Sequence, residues 1–374
     1  MKIGLVLDDT LDTPDGVQQY VLRVGAWLTE RGHEVHYLVG HTIRTDITNL
    51  HSLSRNLKVK FNGNNMSMPL PASVPKLRAF LAEHRFDILH VQVPYSPFLA
   101  GRLLRLAPKQ TAVVGTFHIL PYGALERLAN RGLALLNRTT ARRFSAMIAA
   151  SPAAADFAKT YYGFDAQVIP HPFQYHEFAV PPVPSAGEIN IVYLARLVER
   201  KGALWLLRAI VELRRRGDMP ANLGIHIGGR GPLLAKLQAY VLANGLGSLV
   251  QFHGFIDEKD KPQFLAQADI GVFPSTSGES FGISIIEALA AVRGVVLAGN
   301  NPGYRAAMQL DEQLIDPTDT AAFAGILAHW LTHAAERTTA AKAQRRIAKQ
   351  YDEATVCQRI LDVYARALQR QVET

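Results

Sequence analysis

The chain has 374 residues, a length that favours two domains over one. Apolar residues make up 48% and charged residues 19%, which excludes a disordered chain. The single cysteine, Cys357, excludes a disulfide framework and a Cys-based zinc site. No run of 18 apolar residues predicts a membrane-spanning helix, and MKIGLVLDD lacks the layout of a signal peptide. The net charge of +8 is uneven: residues 1–170 hold 19 basic against 12 acidic side chains, and 171–374 hold 21 against 20. A basic first half points to an anionic partner, be it phosphate, nucleic acid or a membrane surface.

Lys2–Leu7 reads as a buried strand, followed by a loop over Asp8–Gly16 and a helix over Val17–Arg31. Gly32 ends that helix, and Glu34–Val39 is the next strand. Strands follow at Ile88–Val91 and Ala112–Phe117, a helix at 124–143 and a strand at Ala146–Ala149. Five prolines between Pro170 and Pro184 read as an inter-domain linker. A second series then begins with strand Ile189–Leu194 and helix Ala203–Arg216. Strand Leu223–Ile227, helix Leu233–Asn244 and strand Leu249–His253 continue it. Strand Ile270–Phe273, helix Ser284–Ala291, strand Val295–Ala298 and further helices complete it. Two such strand–helix series predict an α/β protein of two facing Rossmann-like domains, with ligands at the carboxyl ends of the strands. The last helix, about 352–369, is expected to cross back onto the first domain.

Three kinds of segment carry chemistry. Gly278-Glu279-Ser280-Phe281-Gly282-Ile283, with Glu287 eight residues after Glu279, follows a strand and opens a helix. Backbone N–H groups and the helix dipole favour an anion there, and the two carboxylates can accept hydroxyl hydrogen bonds. Arg196 and Lys201 follow the first strand of the second series, where cations can neutralise a diphosphate. Glycine turns at Asp15-Gly16-Val17 and Gly228-Gly229-Arg230-Gly231-Pro232 allow close backbone approach to a ligand. Neither is a dinucleotide fingerprint or a P-loop. Asp8-Asp9 and Asp257-Glu258 read as polar loop residues, and no Asp-x-Asp element implies a bound metal.

Together with Arg31-Gly32-His33-Glu34-Val35 and Thr116-Phe117-His118, these stretches resemble the retaining GT-B glycosyltransferases of the family 4 type. Within that family the chain looks most like the bacterial phosphatidylinositol mannosyltransferases. The resemblance implies an acceptor-binding domain at 1–170, with the C-terminal helix 352–374 packing back onto it, and a nucleotide-sugar donor domain at 171–351. It implies that Glu279 holds sugar hydroxyls, that Phe281, Gly282 and Ile283 cradle sugar and phosphate, and that Glu287 binds ribose. Arg196 and Lys201 would stabilise the leaving diphosphate in place of a metal, so no cofactor is expected beyond the donor itself. Gly16 and Gly229 would meet the donor, and His118 would sit at the sugar face. Ile256 and Glu258 would lie over the nucleobase. A carboxylate there favours guanine, hence GDP-mannose, over uracil. Gln18 and Asn62 would contact the acceptor. Retention without a protein nucleophile implies front-face attack.

Two departures from the family bear on the acceptor and the hinge. Phe61-Asn62-Gly63 is kept, but the family's following arginine is absent from Asn64–Met68. That arginine would meet the acceptor's phosphate, so its absence counts against phosphatidylinositol and leaves diacylglycerol, a glycolipid or a polyprenyl-linked sugar, and Phe61, Met66 and Met68 are loop candidates for acyl contact. Pro170-His171-Pro172-Phe173 replaces Pro-Asn-Gly-Val. Arg127, Arg131, Arg138 and Arg142 fall on one side of the helix expected at 124–143, beside leucines. A basic and apolar face of this kind binds anionic bilayers, so the expected location is cytoplasmic, peripheral on the inner face of the cell membrane. Nucleic acid is disfavoured because no aromatic residues interleave with the cations. The competing readings are a soluble UDP-sugar-dependent transferase acting on a sugar or small metabolite, and a non-catalytic nucleotide-binding protein of the same fold.

Overall fold

The computed structural model describes residues 1–13, 16–61, 64–70, 72–118, 132–134, 138–183, 187–279 and 281–372. The chain divides into two compact units, Met1–Pro172 with Glu353–Thr374, and Phe173–Asp352.

The first unit is built on a parallel sheet. Its strands are β1 (Lys2–Leu7), β2 (Glu34–Val39), β3 (Leu50–Ser52), β6 (Ile88–Val91), β7 (Ala112–Phe117), β8 (Ala146–Ala149) and β9 (Gln167–Val168). They lie in the order β3-β2-β1-β6-β7-β8-β9. Strands buried on both faces read as continuous apolar runs, and β6 and β7 are buried throughout. The helix Gly16–Glu30 lays Tyr20, Val21, Val24 and Leu28 on this sheet. The C-terminal helix Glu353–Val372 adds Val356, Ile360 and Tyr364 to the same core. It therefore belongs to the first unit, although the second unit intervenes in sequence.

The second unit carries β10 (Ile189–Leu194), β11 (Leu223–Gly228), β12 (Val250–Gly254), β13 (Ile270–Phe273), β14 (Val295–Gly299) and β15 (Leu314–Ile315). Their order is β12-β11-β10-β13-β14-β15, again parallel. The helix Ala203–Arg216 packs Leu206, Leu207, Ile210 and Leu213 on the sheet. Three arginines in its last turn complement the helix dipole, and Gly217 ends it in the left-handed region. In both sheets the chain reverses its direction of growth beside the first strand, between β1 and β6 and between β10 and β13. Ligand crevices in open α/β sheets form at the carboxyl ends of strands flanking such a reversal.

Three expectations need correction. The stretch around Phe61 is not a loop: β4 (Asn56–Phe61) and β5 (Asn64–Pro69) form an antiparallel hairpin, with Phe61 opposite Asn64 and Val59 opposite Met66. Two residues, Asn-Gly, separate two strand-like runs, and that is a strong hairpin signal in sequence. The helix expected at 124–143 lies largely outside the described residues, as do Arg127 and Arg131. Its described end is Arg138–Ala141. Arg142 is exposed in the following turn, so it does not continue a helical face, and Arg143 is drawn to the Ala107 and Pro108 carbonyls. The proline-rich stretch is not a free linker: Phe173 and Phe178 are buried in the second unit's core, around a short helix at Tyr175–Phe178. The chain passes from the first unit to the second between Pro172 and Phe173 and returns between Asp352 and Glu353.

Candidate active site

In the second unit, Lys201 follows β10 and Glu279 follows β13, the two strands flanking the reversal. Glu279 is nearly enclosed, its side chain 9% exposed. Three groups converge on one of its oxygens. Lys201 Nζ lies 2.7 Å from Oε1, Arg200 Nη1 2.9 Å and the Ser275 hydroxyl 2.8 Å. None of these contacts uses Oε2. The backbone supports the arrangement: Gly202 turns in the left-handed region directly after Lys201, and its N–H bonds the Glu199 carbonyl. Burial lowers the pKa of Lys201, Glu279 opposes that shift, and Arg200 and Arg196 add to the lowering. Two cations thus hold one carboxylate, and Arg196 adds its charge near Lys201, so positive charge exceeds negative there and favours a further anion. Arg200 was not singled out from sequence, although it stood beside Lys201.

Gly282 precedes the helix Ile283–Ala291 in the left-handed region, and a Cβ there would press on Tyr304. The amides of Ile283 and Ser284 open the helix, where N–H groups lack intrahelical acceptors. The Phe281 side chain is buried against Tyr351. Glu287, expected on the helix, is 2% exposed. Lys261 bridges it to the loop after β12, 3.6 Å from Glu287 Oε1 and 2.7 Å from Glu258 Oε1. Burial works against the Lys261 ammonium, but Glu287 and Glu258 outweigh it and hold its pKa up. Glu258 opens a short 3₁₀ turn after β12, and Ile256 packs against the core beside Gly228. Lys261 was not anticipated; its spacing of three from Glu258 was the available signal.

Gly229 has a packing reason to be glycine. Its φ is +131°, and a Cβ would fall well inside contact with the Ala195 carbonyl oxygen. Gly231 is likewise pressed by the Leu197 backbone. The close approach these glycines permit is between β11's turn and the chain leaving β10.

In the first unit, Gly16 begins its helix with open space around a would-be Cβ. Gln18 is 3% exposed; its Nε2 lies 3.3 Å from Asp9 Oδ2, and its buried Oε1 has no hydrogen-bond partner among the described residues. Such an orphaned acceptor is costly unless a donor reaches it. Asp8 is no solvated loop acid: it caps the helix Leu99–Leu106 by accepting from Ala100 N and from Ser96, and burial pushes its pKa up to about 6. His118 is buried, with Nδ1 2.9 Å from His171 Nε2 and Nε2 2.9 Å from Gln92 Oε1. Tyr20 packs edge-on against it. Burial, then His171 and His90, hold its pKa well below the usual histidine value, so it is neutral at pH 7. Asn62 and the side chain of Arg138 lie outside the described residues. Among the described residues, no helix is long and apolar enough to cross a membrane.

Two Rossmann-like units, one carrying a carboxylate clamped by cations beside a glycine-started helix, define a glycosyltransferase of the GT-B class. Residues 14–174 match the family described as Glycosyltransferase Family 4, and residues 178–348 match Glycosyl transferases group 1. The phosphatidyl-myo-inositol mannosyltransferase of Mycolicibacterium smegmatis is 30% identical over 97% of this chain and 93% of its own length. A GDP-mannose-dependent alpha-(1-6)-phosphatidylinositol monomannoside mannosyltransferase of the same organism is 30% identical over 64% of this chain and 65% of its own. The solved structure of Anabaena Alr3699/HepE with UDP-glucose has the same fold, with TM-score 0.74, 19% identity and coverage of 98% and 99%. The chain belongs to the family 4 GT-B glycosyltransferases, and it is similar along nearly its whole length to the bacterial phosphatidylinositol mannosyltransferases.

Gly16 offers a direct test of ligand approach. A Cβ added at Gly16, the first atom of the side chain in Gly16→Val, meets nothing within 4 Å. The expected result is a stability within about 0.5 kcal/mol of wild type and loss of thermal stabilisation by the donor nucleotide. Retained nucleotide stabilisation would remove Gly16 from the donor site.

Proposed function

We propose that this glycosyltransferase moves mannose from GDP-mannose to a lipid-linked acceptor at a membrane surface, with retention of anomeric configuration. The observation that carries the reading is the one-sided clamp on Glu279. Lys201, Arg200 and Ser275 hold Oε1, so Oε2 is left to accept a hydrogen bond from a sugar hydroxyl. The same clamp makes Glu279 a poor nucleophile, because its charge is already spent on two cations. Lys201, Arg200 and Arg196 then meet the charge that develops on the departing diphosphate. Glu287, held by Lys261, accepts from the ribose hydroxyls. The amides of Gly282, Ile283 and Ser284 meet phosphate oxygens. The departing phosphate takes the acceptor's proton as the new glycosidic bond forms on the same face. Gln18 Oε1 accepts from an acceptor hydroxyl, and neutral His118, fixed by Gln92 and His171, shapes the sugar face without exchanging a proton.

The names of the similar proteins support mannose and a phosphatidylinositol-type acceptor. The excess of basic residues before 170 supports docking on an anionic bilayer.

The test is ligand-induced thermal stabilisation with GDP, UDP and ADP at equal excess. A ligand at about 100 times its dissociation constant adds about 2.7 kcal/mol. Selective stabilisation by GDP, followed by mannose transfer from GDP-mannose to lipid extracted into vesicles, is the expected result. Selective stabilisation by UDP would overturn the mannose assignment and leave the family intact. Pelleting with anionic vesicles that disappears in high salt is expected for the membrane step.

A further inference from the structure

The first unit holds a second polar cluster far from the crevice chemistry in its sheet. His36 lies near the amino end of β2, and His51 lies on the neighbouring edge strand β3. His84 ends the helix Val74–His84. Ligand crevices open at the carboxyl ends of parallel strands, so this cluster stands at the wrong end to serve the donor or acceptor. None of the three histidines belongs to the family motifs described above.

Their geometry is that of ligands. One ring nitrogen from each histidine lies within 4.8 Å of those of the other two. His36 Nδ1 and His51 Nε2 are 2.9 Å apart. Two imidazole nitrogens on one tetrahedral zinc ion, at bonds of 2.0–2.1 Å, stand about 3.3 Å apart. The pair needs to open by only a few tenths of an ångström. His84 is half-buried at a helix end, with a ring nitrogen within 4.8 Å of both.

The surroundings fix the tautomer. His36 is buried, and its Nε2 lies 2.9 Å from Glu34 Oε1. The carboxylate is an acceptor, so His36 Nε2 carries the proton and Nδ1 accepts from His51 Nε2–H; that proton moves to His51 Nδ1 when a metal ion takes its place between the rings. A carboxylate behind a histidine in this way orients it and raises its basicity as a metal ligand. Lys2 Nζ lies 2.9 Å from the same Glu34 oxygen and completes the charge around it. Phe80 and Phe86 pack on the cluster from the helix side.

We propose that His36, His51 and His84 form a binding site for one divalent metal ion of the zinc type, with Glu34 as the residue that positions His36. Three imidazoles and one open position suit Zn²⁺, and Co²⁺, Ni²⁺ or Cu²⁺ in its place. The ion ties the short edge strand β3 and the end of the helix Val74–His84 to β2. Its role is to hold this edge of the sheet together, and sugar transfer does not pass through it.

The test is titration of the metal-stripped full chain with Co²⁺ and Zn²⁺, read by the visible absorption of tetrahedral Co²⁺ and by competition with a chromophoric chelator. One-to-one binding with tetrahedral cobalt bands is expected. His51→Ala with His84→Ala should abolish both, and His84→Asn alone should weaken binding while preserving the fold. Glu34→Ala should weaken binding by about 10–100-fold without moving the stoichiometry. Two other histidine pairs serve as controls: His226 with His253, 3.0 Å apart, and His329 with His333, stacked at the end of the helix Thr320–Thr332. Replacing both residues of either pair by alanine should leave the cobalt spectrum unchanged. Absence of tetrahedral bands, binding that survives loss of His51 and His84, or binding lost with a control pair would each overturn the site.

Discussion

Replacing Lys201 by methionine is expected to lower kcat/KM for sugar transfer by about 10²–10³-fold, the usual cost of removing one fixed electrostatic group that meets transition-state charge. Methionine keeps most of the apolar stem that passes Tyr304, and it deletes only the ammonium. Glu279 keeps Arg200 and Ser275, so it is not left as an unpaired buried charge. The loss of stability is therefore about 1–3 kcal/mol, below the 3–5 kcal/mol typical when a buried pair is broken outright. Nucleotide diphosphate affinity should fall together with turnover, because the ammonium serves both the bound and the departing diphosphate. Adding Glu279→Gln should lower stability further by taking the carboxylate from Arg200, while transfer stays low. Wild-type turnover in the single variant would sink the leaving-group role. Recovery of turnover in the double variant would show that the pair acts only as a structural strut.

The separation of stability from transfer depends on how the clamp is built, and the clamp shows where sequence reasoning stops. The strands β1, β2, β6, β7, β8, β10 and β13 were legible to the residue, because each is a short apolar run that only a doubly covered parallel sheet can bury. Lys201, Glu279 and Glu287 were legible as candidates because they follow strands whose carboxyl ends face a crevice. What the sequence did not disclose is which side chains meet. Arg200 and Lys201 are adjacent, yet both reach Glu279 because the 3₁₀ turn Glu199–Lys201 brings them to the same oxygen. Lys261 joins Glu258 to Glu287 across two elements, a contact that no local pattern encodes. The histidines at 36, 51 and 84 are separated by 15 and 33 residues and meet only because β3 pairs with β2. The hairpin at 56–69 is a different kind of omission: its Asn-Gly signal is local and was readable.

Glycines show the same limit, and one of them gives the other large effect. Gly229→Ala is expected to destabilise the second unit by about 2–6 kcal/mol, combining about 1–3 for an L-residue forced into a sparse backbone region with about 1–3 for overpacking. The φ of +131° accommodates no side chain comfortably, and the added methyl points into the Ala195 carbonyl. Neither neighbour can yield cheaply. Ala195 N is bonded to the Gly228 carbonyl at 3.2 Å, and Gly229 N to the Gly254 carbonyl at 2.6 Å, so three strand ends would have to shift together. The expected readout is a large fall in the urea midpoint, with donor binding lost only to the extent that the unit unfolds. Gly16→Val is its mirror image: a fold left intact and a nucleotide response lost. From sequence the two glycines looked alike, each in a turn between a strand and a helix. If Gly229→Ala instead kept the wild-type midpoint and lost nucleotide stabilisation, Gly229 would return to the donor site. The packing of β11's turn against the chain leaving β10 would then not be what demands a glycine there.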